Sequence, residues 1–429
     1  MNPSTSLNRQ QREAVETTRG PMLILAGAGS GKTRVIVHRI AHLIREQVPP
    51  SRIIAVTFTN KAANEMKERL SQMLGESGKG VHLSTFHSLG VRILRETIDL
   101  LGYHKNFVIY DSQDQLALIR NLMDEEGISE SPLIDPKSAQ QMIHHAKTRG
   151  TSPEEFLVPN AMPRTRLAGQ LYRQYQETLK GCNALDFEDI LNFCLKLFES
   201  HAEKMQEIRD RFRYVMVDEY QDTNVAQYLW LRLLSSSHKN LCCVGDDVKS
   251  IYGWRGAKIE NIQKFNTDFP NADIVRLEQN YRSTSTILKA ANKLIEHNNG
   301  RLGKNLWTDC GEGEPISLYE AFNEQDEARF IVDRLQEWFT KGNPRKDSAI
   351  LYRSNAQSRE LEEALLRVGM PYIIYGGHRF YERLEIKNAL SYLRLVVNRN
   401  DDTAIERVIN VPTRGICLLY TSPSPRDRG

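Results

Sequence analysis

The chain has 429 residues, 40% of them hydrophobic and 26% charged, the composition of a globular protein with buried cores and, at about one domain per 150 residues, of two to four domains. Its 57 basic and 54 acidic residues leave a net charge of +3. That excludes a uniformly basic, histone-like chain but leaves room for a local basic groove. None of the six cysteines forms a CxxC pair and two are adjacent in an apolar run, so neither a zinc site nor a disulfide framework is expected. The start, Met1–Gln10, lacks the pattern of a signal peptide, and no apolar run reaches the ~18 residues of a membrane span. A cytoplasmic, nucleoid-associated location follows as an expectation.

In chain order, the apolar run Met22–Leu25 leads into a glycine-rich loop and a helix beginning near Lys32. Ile53–Thr57 precedes a helix from Ala62 to Leu74, and Val81–Thr85 precedes another around Leu89 to Ile98. Between Leu89 and Arg213 the strand signals thin out, and Leu116, Leu118, Ile119 and Leu122 fall at helical spacing. That stretch reads as a helical domain inserted into a sheet. Strands return at Tyr214–Val217 and Leu241–Val244. Fully apolar strands alternating with helices predict a parallel sheet covered on both faces. A second α/β unit is expected to begin near Ile274, with a helix carrying Ala328, Ile331, Val332, Leu335 and Trp338 on one face and a strand at Ser348–Tyr352. The last residues, 417–429, read as a junction artefact or a disordered tail.

Ala26-Gly-Ala-Gly-Ser-Gly-Lys-Thr33 sits between a predicted strand and a predicted helix and is a Walker A pattern with Ala for its first Gly. Gly27, Ala28, Gly29, Ser30 and Gly31 let backbone N–H groups turn toward phosphate oxygens at a helix N-terminus. Lys32 would meet the β- and γ-phosphates, and the Thr33 hydroxyl would hold Mg²⁺. Asp218-Glu219 stands at the end of an apolar strand, where a Walker B pair belongs. Asp218 would hold Mg²⁺ directly or through water, and Glu219 would act as general base on the attacking water. These residues define an ATP- or GTP-hydrolysing P-loop protein. His87 has no partner at metal-ligand spacing, and His144-His145 reads as a solvated helix face.

Further motifs carry a family resemblance. Leu7-Asn8-x-x-Gln11-x-x-Ala14-Val15 looks like the Q motif of the superfamily 1A DNA helicases of the Rep, UvrD and PcrA type. Val56–Ala63 resembles their motif Ia, Ser84–His87 Ib, Val217–Asn224 II, Gly245–Ala257 III and Leu277–Ser283 IV. Leu351–Arg359 and Tyr375-Gly-Gly377 look like segments of the second motor domain and the start of its insertion. The resemblance runs from Leu7 to Ile416.

It implies a P-loop NTPase of α/β class: a RecA-like parallel sheet with a helical insertion, plus an incomplete second RecA-like domain. The first RecA-like domain would comprise residues 1–90 and 201–280, its insertion 91–200, the first part of the second domain 281–375, and the start of that domain's own insertion 376–416. ATP would lie in the cleft between the two, Gln11 reading the adenine edge, Tyr281 stacking on the base, and Arg34 and Arg282 contacting phosphates. An arginine near the γ-phosphate contributes roughly 10³ to 10⁵ in rate, which would make Arg282 catalytic beside Lys32 and Glu219. The resemblance places DNA along Phe58, Tyr252 and Trp254, with Thr85, His87, Arg255, Arg353 and Arg359 touching phosphates or bases. Loop aromatics can stack successive bases at ~1–3 kcal/mol each. It further implies 3′→5′ translocation on single-stranded DNA, preference for DNA with a 3′ single-stranded tail, a role in repair or replication restart, loading factors of those pathways as partners, and self-association.

Two departures stand out. Motif III here reads Gly245-Asp-Asp-Val-Lys-Ser-Ile-Tyr252, with Lys249 where the family has glutamine. A lysine has no acceptor with which to orient water, so weakened coupling to DNA is expected. Motifs V and VI do not occur in the sequence. The chain as written is therefore expected not to complete an ATPase cycle, and a non-catalytic module binding ATP and single strands is the alternative.

Overall fold

The computed structural model describes residues 7–157, 161–247, 257, 260–297, 305–375 and 384–416. The chain divides into two compact units: one holds the residues up to Gly313 together with those from Ser391 onward, the other Glu314–Leu390. Among the described residues, no helix is long and apolar enough to cross a membrane.

The first unit is built on a six-stranded sheet of β1 (Met22–Ala26), β2 (Ile53–Thr57), β3 (His82–Thr85), β6 (Tyr214–Val217), β7 (Leu241–Gly245) and β8 (Asp273–Leu277), with β4 (Val108–Ile109) and β5 (Ala184–Leu185) pairing separately. The order is β3-β2-β6-β7-β1-β8 and every pairing is parallel. Parallel strands need crossovers on both faces, so their residues have no solvent side. Every residue of β1, β2 and β7 is accordingly buried. Alternation sorts them into two cores. Leu23 and Leu25 of β1 join Ile54, Val56, Phe86 and Trp230 on one face. Met22, Ile24 and Ala26 join Val35, Ile36 and Ile40 on the other.

Four helices flank the strands that matter for the site: α1 (Arg9–Glu16), α2 (Lys32–Arg45), α3 (Asn60–Leu74) and α4 (Phe86–Thr97). The helix expected near Lys32 begins there as α2, whereas α3 and α4 begin a few residues before Ala62 and Leu89, because capping sets their boundaries: Thr59 and Thr85 accept from backbone N–H groups and begin the two helices. The strand over Ile274 is β8, the edge strand beside β1, and not the opening of a second α/β unit. Its central residue Val275 belongs to the same core as Met22 and Ile24.

The insertion is helical as expected, with the small β4–β5 pair inside it. At its centre Lys147 is fully buried, its ammonium 2.6 Å from Asp186 and 2.8 Å from Asp189, while the Tyr175 hydroxyl donates to Asp186 at 3.0 Å. Asp186 N-caps the helix Phe187–Ser200, so the ion cluster pins that helix start. Residues from Ser391 onward pack on the same insertion: Arg394 bridges Asp114 and Asp401 at 2.8 Å each, and the Tyr110 hydroxyl donates to Asp401 at 2.9 Å.

The second unit has a small core of Val332, Leu365 and Met370 between the helices Glu324–Thr340 and Ser358–Arg367. Ala328 and Val332 of the predicted helical face are buried, but Trp338 is 40% exposed. The expected strand at Ser348–Tyr352 makes no ladder, and the second unit contains no strand among its described residues. Lys249, Tyr252, Trp254, Arg255, Gly376, Gly377 and the segment 417–429 lie outside the described residues.

Candidate nucleotide and nucleic acid site

In an open parallel sheet, ligands bind beyond the carboxyl ends of the strands, and here those ends carry the sequence motifs. The loop Gly27–Gly31 leaves β1 and enters α2. Gly29 and Gly31 have φ of +73° and +88°, a backbone region that glycine reaches without steric cost. A Cβ at Gly29 would also stand 2.5 Å from the Asn280 amide nitrogen. Three side chains tie the loop down: Ser30 Oγ donates to Gly27 O at 2.8 Å, Gln11 Nε2 to Ser30 O at 3.0 Å, and Asn280 Nδ2 to Ala28 O at 2.6 Å. Tyr281 N–H adds a bond to Gly29 O at 2.9 Å. The phosphate cradle is thus held by residues from the Q motif and motif IV.

At the end of β6, Glu219 adopts φ +52°, the left-handed region that costs a non-glycine residue on the order of 1 kcal/mol. Asp218 Oδ1 steadies that turn by accepting Glu219 N–H at 3.0 Å. The Glu219 carboxylate lies 3.6 Å from the Lys32 ammonium, so the structure brings the Walker A and Walker B residues together. Gln221, fully buried, donates from Nε2 to Glu219 at 2.6 Å and accepts at Oε1 from Asp246 N–H at 2.9 Å. A Cβ at Gly245 would meet that same Oε1 at 3.0 Å. Gln221 therefore joins Glu219 to the first residues of motif III.

The donor set suits Mg²⁺. Asp218 and Thr33 offer hard oxygens, and no cluster of three or more His, Cys, Asp or Glu side chains able to hold a metal occurs among the described residues. Such a site matches an ion that keeps waters and arrives with substrate phosphates. The Thr57 hydroxyl, at the end of β2 beside β6, is buried without a hydrogen-bond partner.

Where the resemblance implies the adenine position, Gln11 is buried. Its amide uses one hydrogen on Ser30 O and its oxygen accepts Asn8 N–H at 3.2 Å, leaving one donor and one acceptor, the pattern an adenine edge complements. Tyr281 is 46% exposed, as a stacking platform must be. Arg282 is exposed beside the loop, its Cβ 2.8 Å from where a Gly29 Cβ would stand; Arg34 lies half-buried on α2.

Of the nucleic-acid candidates, Phe58 is half-buried just beyond β2. Thr85 is nearly buried and its hydroxyl caps α4 through Ser88 N–H at 3.2 Å. His87 lies in the first turn of α4, where burial pushes its pKa down against the opposing pull of Glu188. The ring of Phe187, 46% exposed, stands 6.0 Å from the His87 ring. Arg353 and Arg359 are exposed in the second unit, Arg359 paired with Glu363 at 3.2 Å. His144 and His145 are exposed on their helix as expected, but His144 also pairs with Glu188 at 3.0 Å, and that hydrogen bond raises its pKa.

Asn8, Gln221, Asn280 and Phe187 escaped the sequence reading, although the first three lie inside its motifs. Asn280 lies within motif IV without a chemistry of its own to single it out, and Phe187 follows Asp186 at a helix start that no strand signal flags.

Fold and loop together define a P-loop NTPase with a RecA-like sheet. The chain matches the UvrD/REP helicase N-terminal domain over residues 7–270 and the UvrD-like helicase C-terminal domain over residues 275–418. It is 53% identical over 427 residues to DNA helicase II of Escherichia coli K12, covering 99% of this chain and 59% of that protein. Identity to DNA helicase II of Salmonella typhimurium LT2 is also 53% over 427 residues, with the same coverage. Against the ATP-dependent DNA helicase PcrA of Staphylococcus aureus Mu50 it is 47% over 411 residues, covering 96% of this chain and 56% of the relative. The chain belongs to the UvrD/REP helicase family, and it spans less than three fifths of the length of these relatives.

Proposed function

We propose that this chain is the nucleotide-binding part of an ATP-dependent DNA helicase that moves 3′→5′ along single-stranded DNA. The 3.6 Å approach of Lys32 to Glu219 at the strand ends carries the reading. Glu219 accepts a proton from the water that attacks the γ-phosphorus, the bond from that phosphorus to the β-phosphate oxygen breaks, and ADP and phosphate leave. Lys32, together with Arg34 and Arg282, offsets the charge that develops on the transferring group. Mg²⁺, held by Thr33 and Asp218, supplies further neutralisation of the phosphates when bound. Gln11 and Tyr281 select adenine.

Phe58 and Phe187, with Tyr252 and Trp254, supply rings on which successive bases stack, while Thr85, His87, Arg255, Arg353 and Arg359 contact the strand. The domain assignment expected from the resemblance, with residues 1–90 and 201–280 as one RecA-like domain, belongs to the same proposal. So do a cytoplasmic, nucleoid-associated location, a 3′-tailed DNA substrate, and loading factors or a second copy as partners. The deciding experiment measures ATP hydrolysis by the full-length protein with and without single-stranded DNA. Turnover should rise with DNA and fall by about 100-fold or more in Lys32→Ala and Glu219→Gln. DNA-independent hydrolysis, or hydrolysis that survives both substitutions, would overturn the proposal.

A further inference from the structure

Asn8 uses both ends of one side chain. Its Oδ1 accepts Gln11 N–H at 2.7 Å and caps α1, in a reciprocal capping box with Gln11. Its Nδ2 donates to the Tyr281 hydroxyl at 2.8 Å, a contact spanning 273 residues of sequence. That hydroxyl in turn donates to Gln279 Oε1 at 2.8 Å. Gln279 is anchored in its own right, through Nε2 to Asp309 at 3.0 Å and a backbone bridge to Trp307. The hydroxyl end of Tyr281 is therefore fastened on two sides while the residue stays 46% exposed.

We propose that Asn8 is a positioning residue that sets the Gln11 amide and the Tyr281 ring as one preorganised adenine clamp. The inference rests on the reading of Gln11 and Tyr281 as base contacts. Residue chemistry explains the choice of asparagine. Ser, Thr, Asp and Asn all cap helices well, but Ser and Thr are too short to reach the hydroxyl, and an ionised Asp has no N–H to donate. Only asparagine caps α1 and donates across to Tyr281. An aromatic ring fixed before binding loses less freedom on stacking, which raises affinity without any new contact to the base.

The test compares Asn8→Ser, Tyr281→Phe and the double variant in the full-length protein. Serine keeps the cap and phenylalanine keeps the ring, so melting temperature should hold while the clamp is lost. Each single variant should raise KM for ATP by about three- to tenfold, the worth of one hydrogen bond, with the change in KM rather than in kcat. The effects of the two singles should not multiply in the double variant, since both remove the Asn8–Tyr281 bond, although Tyr281→Phe also loses the bond to Gln279 and Asn8→Ser the 3.4 Å contact of Asn8 Nδ2 with Gln279 Oε1. Inhibition by inorganic tripolyphosphate, which has no base, should not change.

Multiplicative effects in the double variant, or an equal loss of tripolyphosphate inhibition, would overturn the clamp. So would unchanged KM in both single variants while Tyr281→Ala weakens ATP binding. If Tyr281→Ala and Gln11→Ala both leave ATP affinity intact, the base-contact reading fails first and takes the clamp with it.

Discussion

The first unit buries its central strands on both faces, whereas the second leaves a strand-like run in water. Leu25 in β1 is 1% exposed, while Leu351, in a segment of similar composition, is 93% exposed. Leu318 and Phe322 of the second unit are 98% exposed. Both segments have the residues of a parallel strand, but among the described residues only one has neighbours to pair with. A parallel strand gains its stability from ladders and crossovers that come from distant parts of the chain, and composition alone does not supply them. The same holds for polar groups: the first unit encloses Lys147 with two carboxylates, while the ion pairs found in the second are exposed.

Four measurements would break or sharpen that contrast. The largest effect belongs to Lys147→Met, which leaves Asp186 and Asp189 buried without their cation; a loss of about 3–5 kcal/mol is expected in urea unfolding of the first unit. Retained stability would show the cluster to be hydrated. Next, Leu25→Ala should cost about 2–5 kcal/mol and Leu351→Ala less than about 0.5 kcal/mol. Equal costs would mean that the second unit buries Leu351 after all.

Hydrogen exchange reads the same difference without mutation. Amides of β1 should exchange only on global opening, and those of 348–352 at nearly the rate of free peptide.

The last measurement is a pH slope. Burial, with Asp186 close by, pushes the Asp189 carboxyl up to about 7. The folded chain then keeps a proton that the unfolded chain releases near ~3.9, so stability from this group is complete at low pH and declines as pH rises through about 7. Infrared difference spectra should show a buried protonated carboxyl at pH 6, absent at pH 8.5 and in Asp189→Asn. No such band at pH 6 would place the charge on both carboxylates.

Much of the site was legible because its residues are neighbours in sequence. Ala26–Thr33 announces a loop after a strand, and Tyr214–Glu219 ends an apolar run on two carboxylates, so the P-loop and its partner strand could be located from local pattern. What could not be read were contacts whose partners lie far along the chain. Asn8 looks like an ordinary helix cap until Tyr281 stands beside it. Lys147 looks like a solvated helix residue until Asp186 and Asp189 fold around it. The strand expected at Ser348–Tyr352 failed for the matching reason, since its apolar run does not supply a strand to pair with and none lies beside it among the described residues. Likewise β8 read as the start of a new unit because nothing in Asp273–Leu277 says which existing strand it will join.

One consequence follows from the left-handed backbone at Glu219. Glycine reaches that conformation without the steric cost, yet Glu219→Gly would also remove the carboxylate that the buried Gln221 amide and Lys32 contact, a loss that offsets the roughly 1 kcal/mol of relieved strain. Thermal screening of random variants would therefore leave this codon alone. The strained backbone and the charge it presents are kept together, because relaxing one orphans the neighbours of the other.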